Sequence, residues 1–298
     1  METSRTYHLV TESEVTNEVR ARVENTLKLF EQEAEVSAAI NKYFRIMRCE
    51  AYKRRTMLKV SELSNVLSPG YTLNVGSGYC DLEMELGNTP QIISLDTDSS
   101  ELKQAKSISR KMGIALSPIA ADATKLPFRD ATFSNCLVVM ALHHIGSKNS
   151  FITESFRILR ENGNVIIYDS NVASPFYKLY HSKILGWKTG HLLDARYVKY
   201  IFETHGLVVV KTIHRFLIPD FPVIRAWVLK FLCVIERFIE NMPFTQKLRG
   251  SFLIVGRKPS KPPLLEPKQS PAQQQVAYSD SKRQPQNAKV LRTQGISI

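Results

Sequence analysis

Apolar residues recur along this chain in two rhythms. Over residues 11–34, Val15, Val19, Val23, Leu27, Phe30 and Ala34 fall at spacings of three and four, which is one face of a helix. Thr11 with Glu14 has the pattern of a capping box before it. A second helical stretch, roughly 36–57, mixes Ile40, Tyr43, Phe44 and Ile46 with basic residues, and 58–67 continues it until Ser68-Pro69-Gly70 stops the helix. Short apolar runs then alternate with helical segments, which predicts a parallel sheet covered on both faces. Strands are expected at 71–75, 91–95, 117–120, 133–140 and 164–168, with helices at 81–86, 99–111 and 148–159. Right-handed crossovers make such a sheet doubly wound. Residues 194–203 read as a helix ended by His205-Gly206, and the β-branched run 207–214 pairs with a last strand, 251–255, as an antiparallel edge hairpin.

The expected fold class is therefore α/β: a doubly wound, mostly parallel, seven-stranded Rossmann-like sheet. Residues 1–67 form a helical lead-in, 68–258 the main domain with a helical insertion at about 217–248, and 259–298 a tail. In the insertion, residues 222–242 carry Val223, Trp227, Phe231, Ile235 and Phe238, interrupted by Arg225, Lys230, Glu236, Arg237 and Glu240. Those charges argue against a membrane span and leave a core or lid helix, or a helix in peripheral contact with a membrane surface.

The formal charge of +12 suggests nucleic acid until its location is considered. Residues 257–298 hold eight Lys or Arg against only Glu266 and Asp280, so half the excess lies in the tail. Six of the fourteen prolines fall there too, in a mixture without apolar period that has no burial to offset its ordering entropy. The tail reads as disordered, either solubilising or in contact with RNA or an anionic membrane, and assigns no function. Cys49, Cys80, Cys136 and Cys233 are widely spaced without a C-x-x-C pair, which points to a reducing cytoplasm and no structural metal. The amino terminus lacks a signal-peptide core, again placing the protein in the cytoplasm.

Candidate chemistry begins at Leu73-Asn74-Val75-Gly76-Ser77-Gly78-Tyr79-Cys80, a glycine turn at the end of the first sheet strand. Twenty residues after Gly76, Asp96 ends the next strand with a carboxylate able to accept hydrogen bonds from both hydroxyls of a ribose. The pair implies an adenosine-containing cofactor. In a dinucleotide fingerprint the third glycine would fall at Asp81, where close packing and a nearby pyrophosphate exclude a carboxylate. A cationic sulfonium cofactor, S-adenosylmethionine, tolerates acids there.

From Leu73 to about Asn171 the chain resembles the class I S-adenosylmethionine-dependent methyltransferases, of the type that includes ubiquinone and menaquinone biosynthesis enzymes and many small-molecule methyltransferases. The motifs match in order: the glycine turn, Leu95-Asp96 with Ser99-Ser100-Glu101-Leu102, Ala121-Asp122-Ala123 through Pro127-Phe128, Asp130 to Ile145, and Gly163-Asn164-Val165. The resemblance implies that Gly76, Ser77 and Gly78 abut the methionine moiety and that Asp96 with Thr97 holds the ribose. It also implies that Asp122 and Ala123 address the adenine and that Val139 lends backbone near the methionine end. Two positions depart from the pattern. The usual acid is Asn74, which still offers an acceptor to the cofactor's amino group, and the usual third glycine is Cys80, small enough for the turn if its φ is negative.

Methyl transfer is an in-line displacement, so positioning dominates and a base serves only acceptors that must lose a proton. His143 and His144 after the fourth strand, and Asp169 after the fifth, sit at the carboxyl edge where such sheets bind ligands and are candidate catalytic residues. Each also has a plain packing or loop reading. Tyr177, Tyr180, His181 and Trp187 could line an acceptor pocket. The Val138-Val139-Met140-Ala141 turn differs from the Asn-Pro-Pro-Tyr-like turn of amino-directed nucleic-acid enzymes, which makes RNA the lesser expectation and a small-molecule or lipid-like acceptor the better one. Asn74 and Cys80 keep open an alternative, a non-catalytic methyltransferase-like cofactor binder or adaptor.

Overall fold

The change of rhythm at Pro69 is where the sheet begins. In the computed structural model, which describes residues 10–32, 50–87, 91–111, 113–175, 177, 193–216, 234, 236, 245 and 248–260, seven strands form one sheet. They are β1 (Thr72–Val75), β2 (Ile92–Asp96), β3 (Ser117–Ala120), β4 (Phe133–Val139), β5 (Leu159–Ser170), β6 (Val208–Arg215) and β7 (Ser251–Arg257). Their spatial order is β3-β2-β1-β4-β5-β7-β6. All neighbouring pairs from β3 to β5 are parallel, whereas β7 runs antiparallel to both β5 and β6. The expected pairing of the last two strands is present, with β7 lying between β5 and β6 and leaving β6 at the edge.

Six helices accompany the sheet among the described residues: α1 (Asn17–Gln32), α2 (Glu50–Val66), α3 (Asp81–Leu86), α4 (Ser99–Lys111), α5 (Lys148–Ile158) and α6 (Ala195–Thr204). The pleat decides which core each strand residue joins. Leu137, Ile166 and Leu253 pack on one face with Val23, Leu27, Phe30 and Leu58 of α1 and α2. Their neighbours Val138, Ile167 and Ile254 pack on the other with Phe151 and Phe202 of α5 and α6. Strands buried on both faces are continuous apolar runs for this reason.

Two local features differ from expectation. The Thr11 capping box exists, with Thr11 N–H donating to Glu14 Oε2 at 2.7 Å, but it closes a single 3-10 turn, and α1 starts afresh after Thr16, whose Oγ1 accepts from Val19 N–H at 3.2 Å. β5 begins earlier than residue 164 because Leu159 already pairs with Phe133. The ladder then kinks, with Asn162 at φ +61°, before Asn164 pairs with Asn135. Two ion pairs are sealed in the interior: Arg215 Nη2 lies 2.6 Å from Glu62 Oε1, and Arg55 Nη2 lies 2.6 Å from Glu236 Oε1, all four side chains being buried. The guanidinium carbon of Arg55 is also 4.8 Å from the Phe216 ring centre.

Most of the 217–248 insertion, including most of 222–242, lies outside the described residues, as do the tail beyond 260, residues 33–49, Cys49 and Cys233. Among the described residues no helix is long and apolar enough to cross a membrane and no cluster of side chains could hold a metal ion. Cys80 and Cys136 are buried free thiols.

Candidate functional site

Parallel strands bring their carboxyl ends to one edge, and the sheet reverses direction of growth beside β1, the position where such folds open a crevice. The turn after β1 is pinned to β2: the N–H groups of Gly76 and Ser77 both donate to Leu95 O, at 2.8 and 3.1 Å. Gly76 has φ +70°, and a Cβ there would overlap that of Ala141 in the turn after β4. Glycine is thus required twice over, by backbone conformation and by the approach of two turns. Gly78 follows at φ +50°.

Cys80 corrects an expectation. Its φ is +54°, not negative, since the chain must reverse there to enter α3. That left-handed conformation costs a non-glycine residue about 1–2 kcal/mol and explains why glycine is usual at the position. The side chain is fully buried against Leu102 and Ala105, and burial pushes its thiol well above the usual range, which removes it from redox or nucleophilic chemistry.

Asp96 faces the turn from the end of β2. Its Oδ2 accepts from Gly78 N–H at 2.8 Å and its Oδ1 from Asp98 N–H at 3.0 Å, while the residue stays half-buried. Across the opening, Asp122 Oδ1 accepts from Thr124 N–H (2.7 Å) and Oγ1–H (2.9 Å), and the Thr124 backbone bond foremost holds its carboxyl below the usual range. Between these groups lies a cleft of about 450 Å³. Gly76, Asp96, Thr97, Asp122, Ala123 and His144 line it, with Val75, Leu95, Ala121, Thr124, Met140, Ala141, Ile145 and Gly146. No Lys or Arg is among them. Burial raises the Glu101 carboxyl, and Asp98, Asp96 and Asp81 raise it further, so the surroundings of the turn are electronegative.

Four residues expected at the cofactor do not line the cleft. Gly78 acts through its bond to Asp96, Val139 is half-buried, and Ser77 is buried with its carbonyl accepting from Cys80 N–H at 2.8 Å. Asn74 turns behind the turn, where its Nδ2 donates to Glu83 Oε1 at 2.9 Å and its buried Oδ1 has no partner among the described residues. Glu83 itself went unread in the sequence. Ser94 Oγ donates to the same oxygen at 2.7 Å, and burial pushes the carboxyl up to about 7. Charged residues in a six-residue helix suggest solvent, and only the covering helices α1 and α2 reverse that.

Beside the cleft, the 3-10 turn Leu142–His144 after β4 carries both histidines. His143 Nδ1 lies 2.9 Å from Asp169 Oδ1 and 3.2 Å from Oδ2, at the end of β5. Asp169 is 1% exposed, not a solvated loop acid, and its Oδ1 also accepts from Ser170 N–H at 2.7 Å. The ring centres of His143 and His144 are 4.0 Å apart. Tyr177 is buried nearby, its hydroxyl raised first by burial and then by Asp169. Tyr180, His181 and Trp187 lie outside the described residues.

Comparison with known proteins bears on the fold that carries this cleft. Residues 73–167 match the family described as Methyltransferase domain. The chain is similar to the ubiquinone/menaquinone biosynthesis C-methyltransferase UbiE of Pseudomonas aeruginosa, at 28% identity over 135 residues covering 42% of this chain and 53% of the relative. The protein of the same name from Paraburkholderia xenovorans is 27% identical over 146 residues, 46% of this chain and 60% of that one. The chain thus spans little more than half the length of these relatives. Among solved structures, a SAM-dependent methyltransferase from Thermotoga maritima superposes with TM-score 0.51 at 15% identity, over 78% of this chain and 99% of that one. One from Methanosarcina mazei does so with TM-score 0.52 at 13% identity, over 67% and 98%. At these identities the structures speak for the fold.

Proposed function

We propose, from the premise that this chain is built on a class I S-adenosylmethionine-dependent methyltransferase domain, that it transfers a methyl group to a small-molecule or lipid-like acceptor in a cytoplasmic setting. The observation that carries the reading is the acid-lined cleft, in which Asp96 is tied to the glycine turn and no Lys or Arg stands among the described lining residues to meet a diphosphate. A volume of about 450 Å³ is within the usual range of cofactor sites. The donor set fits a nucleoside with a cationic side arm, because acids attract a sulfonium and repel phosphate.

S-adenosylmethionine supplies the electrophilic methyl group, and the chain's own residues provide everything else. Asp96 and Thr97 would hold the ribose hydroxyls, and Asp122 with Ala123 would address the adenine. Gly76 and Gly78 would admit the methionine arm close to backbone, with Ser77 and Val139 supporting that end and Asn74 Oδ1, which has no partner among the described residues, lying behind the turn. Met140, Ala141 and Ile145 give the cleft an apolar wall beside His144, which suits an apolar acceptor better than a nucleic acid. The named activity of the UbiE relatives supports an acceptor of quinone type. A second reading, a non-catalytic cofactor binder, is favoured by the left-handed Cys80 and by the engagement of Asn74 with Glu83. Labelled-methyl transfer to an extract of cellular small molecules and lipids separates the two. A labelled product, heavier by one CH2, supports the enzyme, and tight cofactor binding with no labelled product in any fraction supports the binder.

A further inference from the structure

We infer that Arg157, paired with Glu154, is the positioning residue for the adenine end of the cleft: it fixes the loop that carries Asp122 and Ala123, and so sets the preference of this site for a purine bearing an exocyclic amino group. The inference rests on the cofactor reading above and concerns which base the site accepts. The connection from β3 to β4, residues 121–132, contains no helix, yet it runs from the carboxyl edge of the sheet, where β3 ends, to the amino edge, where β4 begins. A crossover between parallel strands is usually a helix, which satisfies its own backbone. An extended one leaves N–H and C=O groups that side chains have to meet.

Two residues of α5 meet them. Glu154 Oε2 accepts from Leu126 N–H at 2.9 Å, Arg157 Nη2 donates to Leu126 O at 3.0 Å, and Arg157 Nη1 donates to Phe128 O at 2.8 Å. The other donors of Arg157 go to carboxylates: Nη1 to Asp130 Oδ1 at 2.7 Å, Nη2 to Glu154 Oε2 at 2.8 Å and Nε to Glu154 Oε1 at 2.9 Å. Every one of the five N–H donors of the guanidinium therefore has an acceptor. An ammonium, with its donors on a single atom, cannot span this set. The Arg157 bond foremost holds the Glu154 carboxyl below its usual range, so the pair stays ionic at neutrality.

The grip reaches the cleft through one short turn. Lys125 N–H donates to Asp122 O at 3.0 Å, and Asp122 Oδ1 accepts from Thr124 N–H and Oγ1–H, which closes 122–125 upon itself. Leu126, held by both of its backbone groups, is the next residue. On the other side Ala121 N–H donates to Asp96 O at 3.0 Å, so the turn is fixed between β2 and α5. Ala123 and Leu126 add apolar contact, joining Phe151 and Ile152 of α5 in one core. Asp122 Oδ2 keeps no partner among the described residues while Asp122 lines the cleft. An anionic oxygen there accepts a hydrogen bond from an exocyclic amino group and gains nothing from a base that lacks one. Arg157 touches no ligand, and its effect passes through the seat of Asp122.

The test is calorimetric titration of the full-length protein with S-adenosylhomocysteine and with its desamino analogue, in which hydrogen replaces the amino group of the base. The wild type should prefer the amino-bearing ligand by about tenfold, the scale of one charge-assisted hydrogen bond. Arg157→Lys, which keeps the charge and loses the fork, should bring that ratio to about twofold or less by weakening the amino-bearing ligand alone. Glu154→Gln, a milder change to the same pair, should lower the ratio in the same direction and reads it where Arg157→Lys does not fold. A purely structural role would lower the melting temperature, or weaken both ligands equally, with the ratio intact, and an intact ratio overturns the assignment while leaving the cofactor reading in place. Equal binding of the two ligands by the wild type overturns it as well, since the turn then does not read the amino group. Failure of the wild type to bind either ligand instead removes the cofactor reading, and the positioning role with it.

Discussion

Two carboxylates stand on opposite sides of the same glycine turn. Asp96, at the end of β2, is half-buried, takes its hydrogen bonds from backbone N–H groups and lines an open cleft. Glu83, two residues into α3, is 2% exposed, takes its bonds from Asn74 and Ser94, and leaves Oε2 buried without a partner among the described residues. The difference lies in what covers them. A strand end at the carboxyl edge of the sheet opens to ligand, whereas α3 is capped by α1 and α2, whose apolar stripe joins Leu82, Met84 and Leu86 in one core. Burial pushes the Glu83 carboxyl up to about 7 behind the turn, whereas Asp96 lines the cleft.

The comparison extends to the interior charges, where the largest effect is expected. Arg215→Met strands Glu62 in a buried site and should cost about 3–5 kcal/mol of unfolding free energy, measured by urea denaturation. Cofactor affinity of the folded fraction should stay unchanged, since the pair lies outside the cleft. A loss under about 1 kcal/mol would mean that the site relaxes to admit water.

Glu83 comes next. A folded-state carboxyl near 7, raised by burial from its ordinary 4.5, means that the folded protein binds more protons than the unfolded chain across that interval. Its contribution is fully present below about 4.5 and is lost as pH rises through about 7, so stability falls with pH over that window. Glu85, raised by burial to about 8, acts in the same direction. Glu83→Gln keeps an acceptor for Asn74 and Ser94 and should flatten part of the fall, which thermal melts between these pH values would read directly. An unchanged slope would assign the pH dependence to other groups.

On the open side, Asp96→Ala should weaken S-adenosylmethionine binding at least tenfold, about 1.4 kcal/mol, by calorimetry. Equal affinity would take Asp96 out of the site. The smallest effect belongs to Cys80: with φ at +54°, Cys80→Gly should be more stable than Cys80→Ala by about 1 kcal/mol, the reverse of the usual preference for alanine. An alanine variant of equal or higher stability would mean that the turn is not strained.

Much of this molecule could be read from local pattern. The paired residues Leu137-Val138 and Ile166-Ile167 announce strands buried on both faces, and Gly76 with Asp96 marks the cleft, because the β-α-β geometry alone brings a turn and the next strand end together. What stayed hidden depends on long-range placement. The insertion of β7 between β5 and β6 is a choice of order that neither strand encodes. The ion pairs join residues 153 and 181 positions apart, so each partner reads as a surface charge by itself. Met140, Ala141 and Ile145 reach the cleft only through the shape of the turn after β4. The left-handed Cys80 follows from the reversal into α3, which a residue's identity does not reveal. His143, His144 and Asp169 were legible as a group at one edge, but not the pairing that singles out one histidine.

The central claim is that this cleft receives a cationic adenosine ligand and refuses a diphosphate. Calorimetric titration of the full-length protein with S-adenosylmethionine and, in parallel, with NAD+ tests it directly. The account predicts saturable binding of the first at one site per chain and no heat above dilution from the second. Tighter binding of NAD+, or no binding of S-adenosylmethionine, would contradict it.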